Sequence, residues 1–134
     1  MLAIVGRSGS GKTHLIVRLL GHFTARGLSV STVKHTHHHA VDIDRPGKDS
    51  FLHRAAGARE VLLASDDRWA LMRETPRGPW SIDALIARME PVELVLVEGF
   101  RGVETLPRIE VFRGAAGEPP LAATDGTIRA LACL

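Results

Sequence analysis

The residues with the clearest chemical meaning form the segment Gly6-Arg7-Ser8-Gly9-Ser10-Gly11-Lys12-Thr13, near the start of the chain. The segment fits G-x-x-x-x-G-K-[ST], the pattern of a loop whose glycines let successive backbone N–H groups face a phosphate. In this pattern the lysine reaches the β- and γ-phosphates, and the hydroxyl of the last residue ligates Mg²⁺. We therefore predict a nucleotide-binding loop in which Lys12 is also catalytic and Thr13 is also a metal ligand. The predicted nucleotide contacts are Gly6, Ser8, Gly9, Ser10, Gly11, Lys12, Thr13 and the next residue, His14.

The elements on either side of the loop support this interpretation. A short apolar run, Leu2–Val5, predicts a strand before the loop. Apolar residues at i, i+3 and i+4 spacing predict a helix after it, from Lys12 to about Arg26, and Gly27 is predicted to end that helix. The amino end of the helix would present its positive dipole end to the same phosphates. This strand–loop–helix order is the context that the motif requires.

A second chemical residue, Glu98, lies at the end of the run Glu93-Leu94-Val95-Leu96-Val97-Glu98-Gly99. Such a nearly continuous apolar run is typical of a strand buried on both faces of a parallel sheet. An acidic residue at the end of a hydrophobic strand resembles a Walker-B segment, in which the acid holds Mg²⁺ directly or through water. We predict that Glu98 is catalytic and helps to bind Mg²⁺, although it stands where aspartate is commoner. A solvated glutamate at a strand end is the alternative.

The third feature is a cluster of histidines after a second predicted strand, Leu28–Val33. The cluster, Lys34-His35-Thr36-His37-His38-His39, holds four of the seven histidines of the chain. We predict that Lys34 and His35 contact phosphates or another anionic ligand. A metal-binding tract and a solvated loop are the alternatives, although no cysteine lies nearby to complete a tetrahedral zinc site.

The rest of the chain predicts further strands and helices. They are a helix Phe51–Ala58 capped by Asp49 or Ser50, strands Arg59–Ala64 and Arg68–Arg73, a helix Ile82–Met89 capped by Ser81, and strands Pro107–Phe112 and Ile128–Cys133. A helical crossover joins the first two strands, which must therefore be parallel, whereas a short turn pairs the third and fourth strands antiparallel. We predict an α/β fold of the P-loop NTPase type, with three layers, a mostly parallel central sheet and an added antiparallel hairpin. The phosphate loop, the Lys34 segment and Glu98 then meet at the carboxyl ends of parallel strands, where such sheets bind ligands.

Composition limits the classes of protein to which this chain can belong. With 134 residues it predicts a single nucleotide-binding domain, residues 1–134, and no apolar run approaches the roughly 18 residues of a membrane span. Because the first strand has no apolar leader before it and Cys133 is the one cysteine, we expect a soluble cytoplasmic protein. A net charge of +2, with two tryptophans and four phenylalanines, gives weak support to nucleic-acid binding. Neither nucleic acid nor a membrane is an expected partner.

Three further segments, together with the phosphate loop, carry a resemblance to a known family. They are Thr32-Val33-Lys34-His35-Thr36-His37-His38, Arg45-Pro46-Gly47-Lys48-Asp49-Ser50 and Leu96-Val97-Glu98-Gly99-Phe100-Arg101. With them the chain resembles the MobB family, adaptor proteins of molybdopterin-guanine dinucleotide biosynthesis. The resemblance implies a homodimer that binds GTP and hydrolyses it weakly. It also implies two partners: the guanylyltransferase MobA, which attaches GMP to molybdopterin, and molybdopterin or another anionic pterin. The family's functional positions fall here on Gly9, Gly11, Lys12, Thr13, Lys34, His35, Glu98 and Gly99, the last as a nucleotide contact.

The residues alone do not identify the bound base or the reaction. Nothing matches the [NT]-K-x-D guanine signature, so guanine follows from the resemblance alone, and Thr124-Asp125-Gly126 is a weak candidate for base recognition. A small-molecule P-loop kinase is an alternative function, against which the chain has no arginine-rich lid segment. A metallochaperone GTPase, suggested by the histidines, would need a Cys-His metal site that the sequence lacks. The final apolar strand suggests a short family member, or an edge that the other subunit of a homodimer covers.

Overall fold

Strands and helices form close to the positions that the hydrophobic pattern predicts. The computed structural model describes residues 1–36, 44–75, 78, 80–100, 103–114 and 118–133. In chain order the elements are β1 (Leu2–Val5), α1 (Lys12–Thr24), β2 (Val30–Lys34), α2 (Asp49–Ala55), β3 (Glu60–Ala64), β4 (Trp69–Arg73), α3 (Ile82–Ile86), β5 (Leu94–Glu98), β6 (Arg108–Phe112), a 3₁₀ helix (Leu121–Ala123) and β7 (Ile128–Cys133).

The main sheet has five strands in the order β2-β5-β1-β6-β7, and every neighbouring pair in it is parallel. The carboxyl ends of these strands therefore lie at one edge of the sheet, where the phosphate loop follows β1. The late strand β5 inserts between β1 and β2, so that the two strands joined by α1 are not direct neighbours. This order places the ends of β1, β2 and β5 side by side.

The sheet is covered on both faces because alternate residues of β5 point to opposite sides. On one face the buried cluster is Ile4, Ile16, Leu96 and Val111, with Ile16 contributed by α1. On the other face it is Ala3, Ile82, Val95, Val97 and Val103, with Ile82 contributed by α3. A helix, the sheet and a second helix make three layers. The predicted three-layer α/β fold with a mostly parallel sheet is confirmed.

Chain contacts divide the molecule into two compact units. Residues 1–36 with 82–134 make the unit that contains the parallel sheet, and residues 37–81 make the second. Within the second unit β3 and β4 pair antiparallel, so the predicted added hairpin is confirmed. Its buried residues Val61 and Met72 are direct cross-strand partners. The expectation of a single domain over residues 1–134 stays a prediction.

The boundaries of two helices, α2 and α3, differ from the prediction. Helix α2 begins at Asp49 and not at Phe51, and the preceding residue, Lys48, makes no side-chain cap. The prediction that Asp49 or Ser50 caps this helix is therefore wrong. The helix ends before Gly57, whose φ of +102° places it in the left-handed region that favours glycine. Helix α3 is regular only to Ile86, and the N–H of Met89 closes a tighter turn by donating to Ile86 O at 3.0 Å.

The end of α1 follows the prediction closely. The N–H of Gly27 donates to Thr24 O at 2.9 Å, and the N–H of Leu28 donates to Phe23 O at 3.2 Å. This pair of bonds, with Gly27 at φ +81°, is the Schellman motif that satisfies the last carbonyls of a helix. At 13 residues α1 falls well below the length of a membrane span, and no helix in the described part of the chain is long and apolar enough to cross a membrane.

Candidate functional site

The phosphate loop owes its conformation to its glycines. Gly6, Gly9 and Gly11 have φ values of +142°, +72° and +101°, which residues with a Cβ rarely adopt. Gly11 stands at the amino end of α1, where the N–H of Leu15 donates to Gly11 O at 3.0 Å. A Cβ on Gly6 would lie 2.5 Å from the carbonyl oxygen of Val111 in β6. The loop is therefore both turned by its own glycines and packed against the neighbouring strand.

Lys12 is folded back onto this loop. Its ammonium donates hydrogen bonds to the carbonyl oxygens of Gly6, at 2.9 Å, and Arg7, at 2.7 Å. These bonds place the charge of Lys12 inside the turn that the motif assigns to phosphates. Thr13, which ends the motif, and His14, which follows it, are exposed, and so are Ser8 and Gly9. Ser10 is buried.

The end of β5 brings three predicted residues together. The hydroxyl of Thr13 donates to Glu98 Oε1 at 3.5 Å, and Lys34 Nζ lies 3.7 Å from Glu98 Oε2. Lys34 and Glu98 are direct partners in the register of β2 and β5. The Glu98 side chain is only 11% exposed, so its charge is compensated mainly by groups of the protein. The convergence expected from sheet topology is present in the structure.

This donor set fits the chemistry of Mg²⁺. Mg²⁺ is a hard cation that prefers oxygen ligands and usually keeps several waters, so that one or two protein oxygens and substrate phosphates complete its shell. The hydroxyl of Thr13 and the carboxylate of Glu98 supply two such oxygens beside the phosphate loop. The role of these residues as metal ligands stays a prediction.

Gly99 and His35 are in contact just beyond the ends of β5 and β2. The N–H of His35 donates to Glu98 O at 2.9 Å. A Cβ on Gly99, which has a φ of +79°, would lie 2.9 Å from the carbonyl oxygen of His35. The ring of His35 packs edge-on against Phe100, with ring centroids 5.2 Å apart. Glycine is thus required at position 99, where these two chain segments pass each other. The predicted anion contacts of His35 and Gly99 stay predictions.

The other histidines of the cluster, His37 to His39, lie outside the described residues. Among the described residues, no group of three or more histidine, cysteine, aspartate or glutamate side chains is arranged to hold a metal ion. The predicted roles of the cluster in binding an anion or a partner therefore stay predictions.

A cavity of about 410 Å³ adjoins the phosphate loop on the side of β6. It is lined by Arg7, Ser8, Gly9 and Ser10 of the loop, by residues 110–114, and by Glu118. Arg7 Nε and a Glu118 carboxylate oxygen lie 3.0 Å apart at this cavity. Sequence reasoning missed Glu118, because a lone glutamate in a loop carries no pattern that marks it.

Glu110, which also lines the cavity, is a buried carboxylate that the strand pattern does not reveal. It is 1% exposed, and its two oxygens accept hydrogen bonds of 2.8 Å from the N–H groups of Leu121 and Ala122. These contacts tie the 3₁₀ helix to β6. The buried charge is satisfied by backbone donors that lie 11 and 12 residues away in the chain.

The prediction that Thr124-Asp125-Gly126 recognises the base is wrong. Asp125 accepts two hydrogen bonds from the Arg108 guanidinium, at 3.0 and 2.8 Å. The hydroxyl and N–H of Thr127, and then the charge of Arg108, hold the pKa of Asp125 below its usual value. Arg108 pairs with Ala3 and Ile128 at the amino ends of their strands, whereas the phosphate loop follows the carboxyl end of β1. Asp125 is therefore a structural residue at the opposite edge of the sheet.

Comparison with known proteins identifies relatives of this chain. A family model described as "Molybdopterin guanine dinucleotide synthesis protein B" matches residues 1–134. The molybdopterin-guanine dinucleotide biosynthesis adapter protein of Escherichia coli is 44% identical over 123 residues, and that of Haemophilus influenzae is 44% identical over 121 residues. These matches cover 90% and 89% of this chain, and the chain spans 69% and 66% of the length of the two relatives.

A solved structure shows the same architecture. The crystal structure of a molybdopterin-guanine biosynthesis protein B is 29% identical and superposes with a TM-score of 0.71. The match covers 98% of this chain and 80% of that one. The family model spans the whole chain, and the relatives and the shared fold agree with the sequence motifs. This chain belongs to the MobB family of molybdopterin-guanine dinucleotide synthesis proteins.

Proposed function

We propose that this protein is a GTP-binding adapter that assists the attachment of GMP to molybdopterin. The observation that carries the proposal is the meeting of Thr13, Lys34 and Glu98 beside the phosphate loop. Within this group the hydroxyl of Thr13 and the buried carboxylate of Glu98, next to the loop lysine Lys12, are what a Mg²⁺-nucleotide needs from a P-loop protein. The adapter role comes from the names of the relatives, and the guanylyltransferase MobA and a pterin as partners come from the family resemblance.

The chain's own residues would share the work of holding the nucleotide. Lys12 exchanges the carbonyl oxygens of Gly6 and Arg7 for phosphate oxygens, which its flexible stem allows. Bound Mg²⁺ supplies charge neutralisation at the phosphates, and Thr13 and Glu98 are the residues proposed to hold it. The cavity beside the loop is our proposed location for the nucleoside, because it adjoins the loop and its volume lies in the range of small-molecule sites.

Slow hydrolysis fits this proposal. Fast phosphoryl transfer needs a positioned water and added positive charge, often an arginine finger worth about 10³–10⁵ in rate. Arg7, the arginine within the loop, is paired with Glu118 in this structure. Arg101, the finger candidate closest to Glu98 in sequence, lies outside the described residues. We therefore propose that the bound nucleotide serves a partner reaction and is not rapidly turned over by this chain.

Calorimetric titrations with GTP and with ATP, each in the presence of Mg²⁺, test the function directly. We expect GTP to bind more tightly than ATP, and we expect the protein to raise the yield of molybdopterin-guanine dinucleotide when it is added to guanylyltransferase, molybdopterin and GTP. The Lys12→Ala protein is the control that should not raise the yield. Transfer of the γ-phosphate to a small acceptor, or turnover of about 1–100 s⁻¹ by the isolated protein as in kinases, would contradict the proposal.

We also propose that the protein is a homodimer. Two apolar surfaces support this: the face of the hairpin that carries the exposed cross-strand pair Leu62 and Leu71 with Trp69, and the edge strand β7 with exposed Leu131. Light scattering at micromolar concentration should give the mass of two chains. Leu62→Glu with Leu71→Glu should give single chains if the hairpin face is the interface, and Leu131→Glu should do so if β7 is. A single-chain mass for the unmodified protein would rule out the dimer.

A further inference from the structure

Lys34 holds a position that the established pattern of the phosphate loop does not explain. Its side chain is 60% exposed and free to extend into water, yet its ammonium lies 3.7 Å from the buried carboxylate of Glu98. At this distance the two groups form an ion pair, but the distance exceeds the 2.7–3.2 Å that is typical of a hydrogen bond. The ammonium therefore neutralises Glu98 without a directional bond that would fix it there.

The two oxygens of Glu98 face different partners. Oε1 is approached by the hydroxyl of Thr13, the predicted metal ligand, and Oε2 by Lys34. A carboxylate as buried as this one needs a nearby cation. A Mg²⁺ ion held by Thr13 and Glu98 would supply that positive charge itself, and it would repel the ammonium. One cation then replaces the other at the same carboxylate.

We propose that Lys34 is a phosphate-binding residue whose contact depends on the metal: without Mg²⁺ it compensates Glu98, and when Mg²⁺ binds it is released to the phosphates of the nucleotide. This inference rests on the proposed function of the loop as a Mg²⁺-nucleotide site. Lysine suits the exchange because its ammonium is a compact charge with three rotatable donors on a flexible stem. Lys12 and Lys34 would then both leave protein oxygens for phosphate oxygens.

The test measures GTP affinity by calorimetry for the unmodified protein and for Lys34→Met, once with Mg²⁺ and once with EDTA. We expect Lys34→Met to lose about five- to twenty-fold in affinity with Mg²⁺, because a charge-assisted phosphate contact is removed. With EDTA we expect a smaller loss than with Mg²⁺, because Lys34 then stays on Glu98 and its removal costs no phosphate contact but only leaves the Glu98 carboxylate uncompensated near the phosphates. Arg18→Met, which removes an exposed charge from α1, is the control for long-range electrostatics and should show no dependence on Mg²⁺.

A second comparison needs no metal at all. In Glu98→Gln protein Lys34 has no carboxylate to hold it, so adding Lys34→Met to this background should weaken GTP binding several-fold in EDTA. Thermal melting of each variant checks that it is folded.

Equal losses with Mg²⁺ and with EDTA for Lys34→Met would overturn the proposal, because Lys34 would then contact phosphates whether or not the metal is bound. No loss in either condition would also overturn it, because Lys34 would then serve only Glu98 or a partner. Neither result touches the proposed function. That function fails separately if the unmodified protein does not bind GTP in the presence of Mg²⁺.

Discussion

Lys12→Ala is expected to lower the affinity for GTP by about 10- to 150-fold, since a charge-assisted contact to phosphate contributes on the order of 1.5–3 kcal/mol. In the structure the ammonium of Lys12 donates to the carbonyl oxygens of Gly6 and Arg7. The substitution removes these bonds too, but Arg7 and the neighbouring Ser8 are exposed, so water can replace the lost donor. We therefore expect the loop to lose binding and the domain to keep its fold. Calorimetry and thermal melting of the same preparation measure the two effects.

Arg18→Ala is the matched control for this experiment. Arg18 lies on α1, as Lys12 does, but it is exposed on the helix surface outside the loop. Its loss should leave GTP affinity nearly unchanged. If Lys12→Ala bound GTP as tightly as the unmodified protein, with the same melting temperature, the phosphate-loop assignment would be wrong.

Gly6→Ala is expected to destabilise the protein by on the order of 2–5 kcal/mol and to abolish nucleotide binding. The new methyl group would lie 2.5 Å from Val111 O, a backbone atom of a buried strand that cannot rotate away, and 2.8 Å from Ser10 Oγ. The φ of +142° at this position is strained for any residue with a Cβ. Either the loop moves off β6 or the strand shifts, and both changes disturb the anion site. Urea unfolding and GTP titration give the two readouts.

Gly9→Ala separates backbone strain from steric overlap. Gly9 also has a positive φ, +72°, but a Cβ there would meet nothing within 4 Å. Its substitution should cost only the left-handed strain, about 1–3 kcal/mol at most. If Gly6→Ala were no more destabilising than Gly9→Ala, the close packing of the loop on β6 would not be what constrains residue 6.

The local part of the site is the part that the sequence predicted well. Gly6, Gly9 and Gly11 each take the positive φ that a phosphate loop requires, because glycine alone adopts it without strain. The apolar run of β5 also indicated a strand of a parallel sheet that is buried on both faces. Residues on one short segment determine these features, so their pattern is visible without knowledge of the fold.

The hydrogen-bond partners of the charged residues could not be predicted from the sequence. Nothing in the sequence marks Glu110 as buried, yet its carboxylate accepts hydrogen bonds from the N–H groups of the 3₁₀ helix. Asp125, a candidate for base recognition in the sequence, instead accepts hydrogen bonds from Arg108 and Thr127. The predicted cap of α2 was also wrong, because Asp49 and Ser50 are the first two residues of the helix itself. The donors to Glu110 and the Arg108 donor to Asp125 lie 11 to 17 residues away in the chain, so these pairs depend on how distant segments pack, which propensity does not specify.

The sequence alone determined the phosphate loop, the helix after it and the acid at the end of an apolar strand, because each is written in a few consecutive residues. Only the tertiary structure decided that β5 lies between β1 and β2. That order sets Lys34 beside Glu98 across the sheet and Thr13 on the other side of the same carboxylate. The strand order depends on burying both faces of β5 at the same time. That burial is a property of the whole packed sheet, and no single segment of the sequence specifies it.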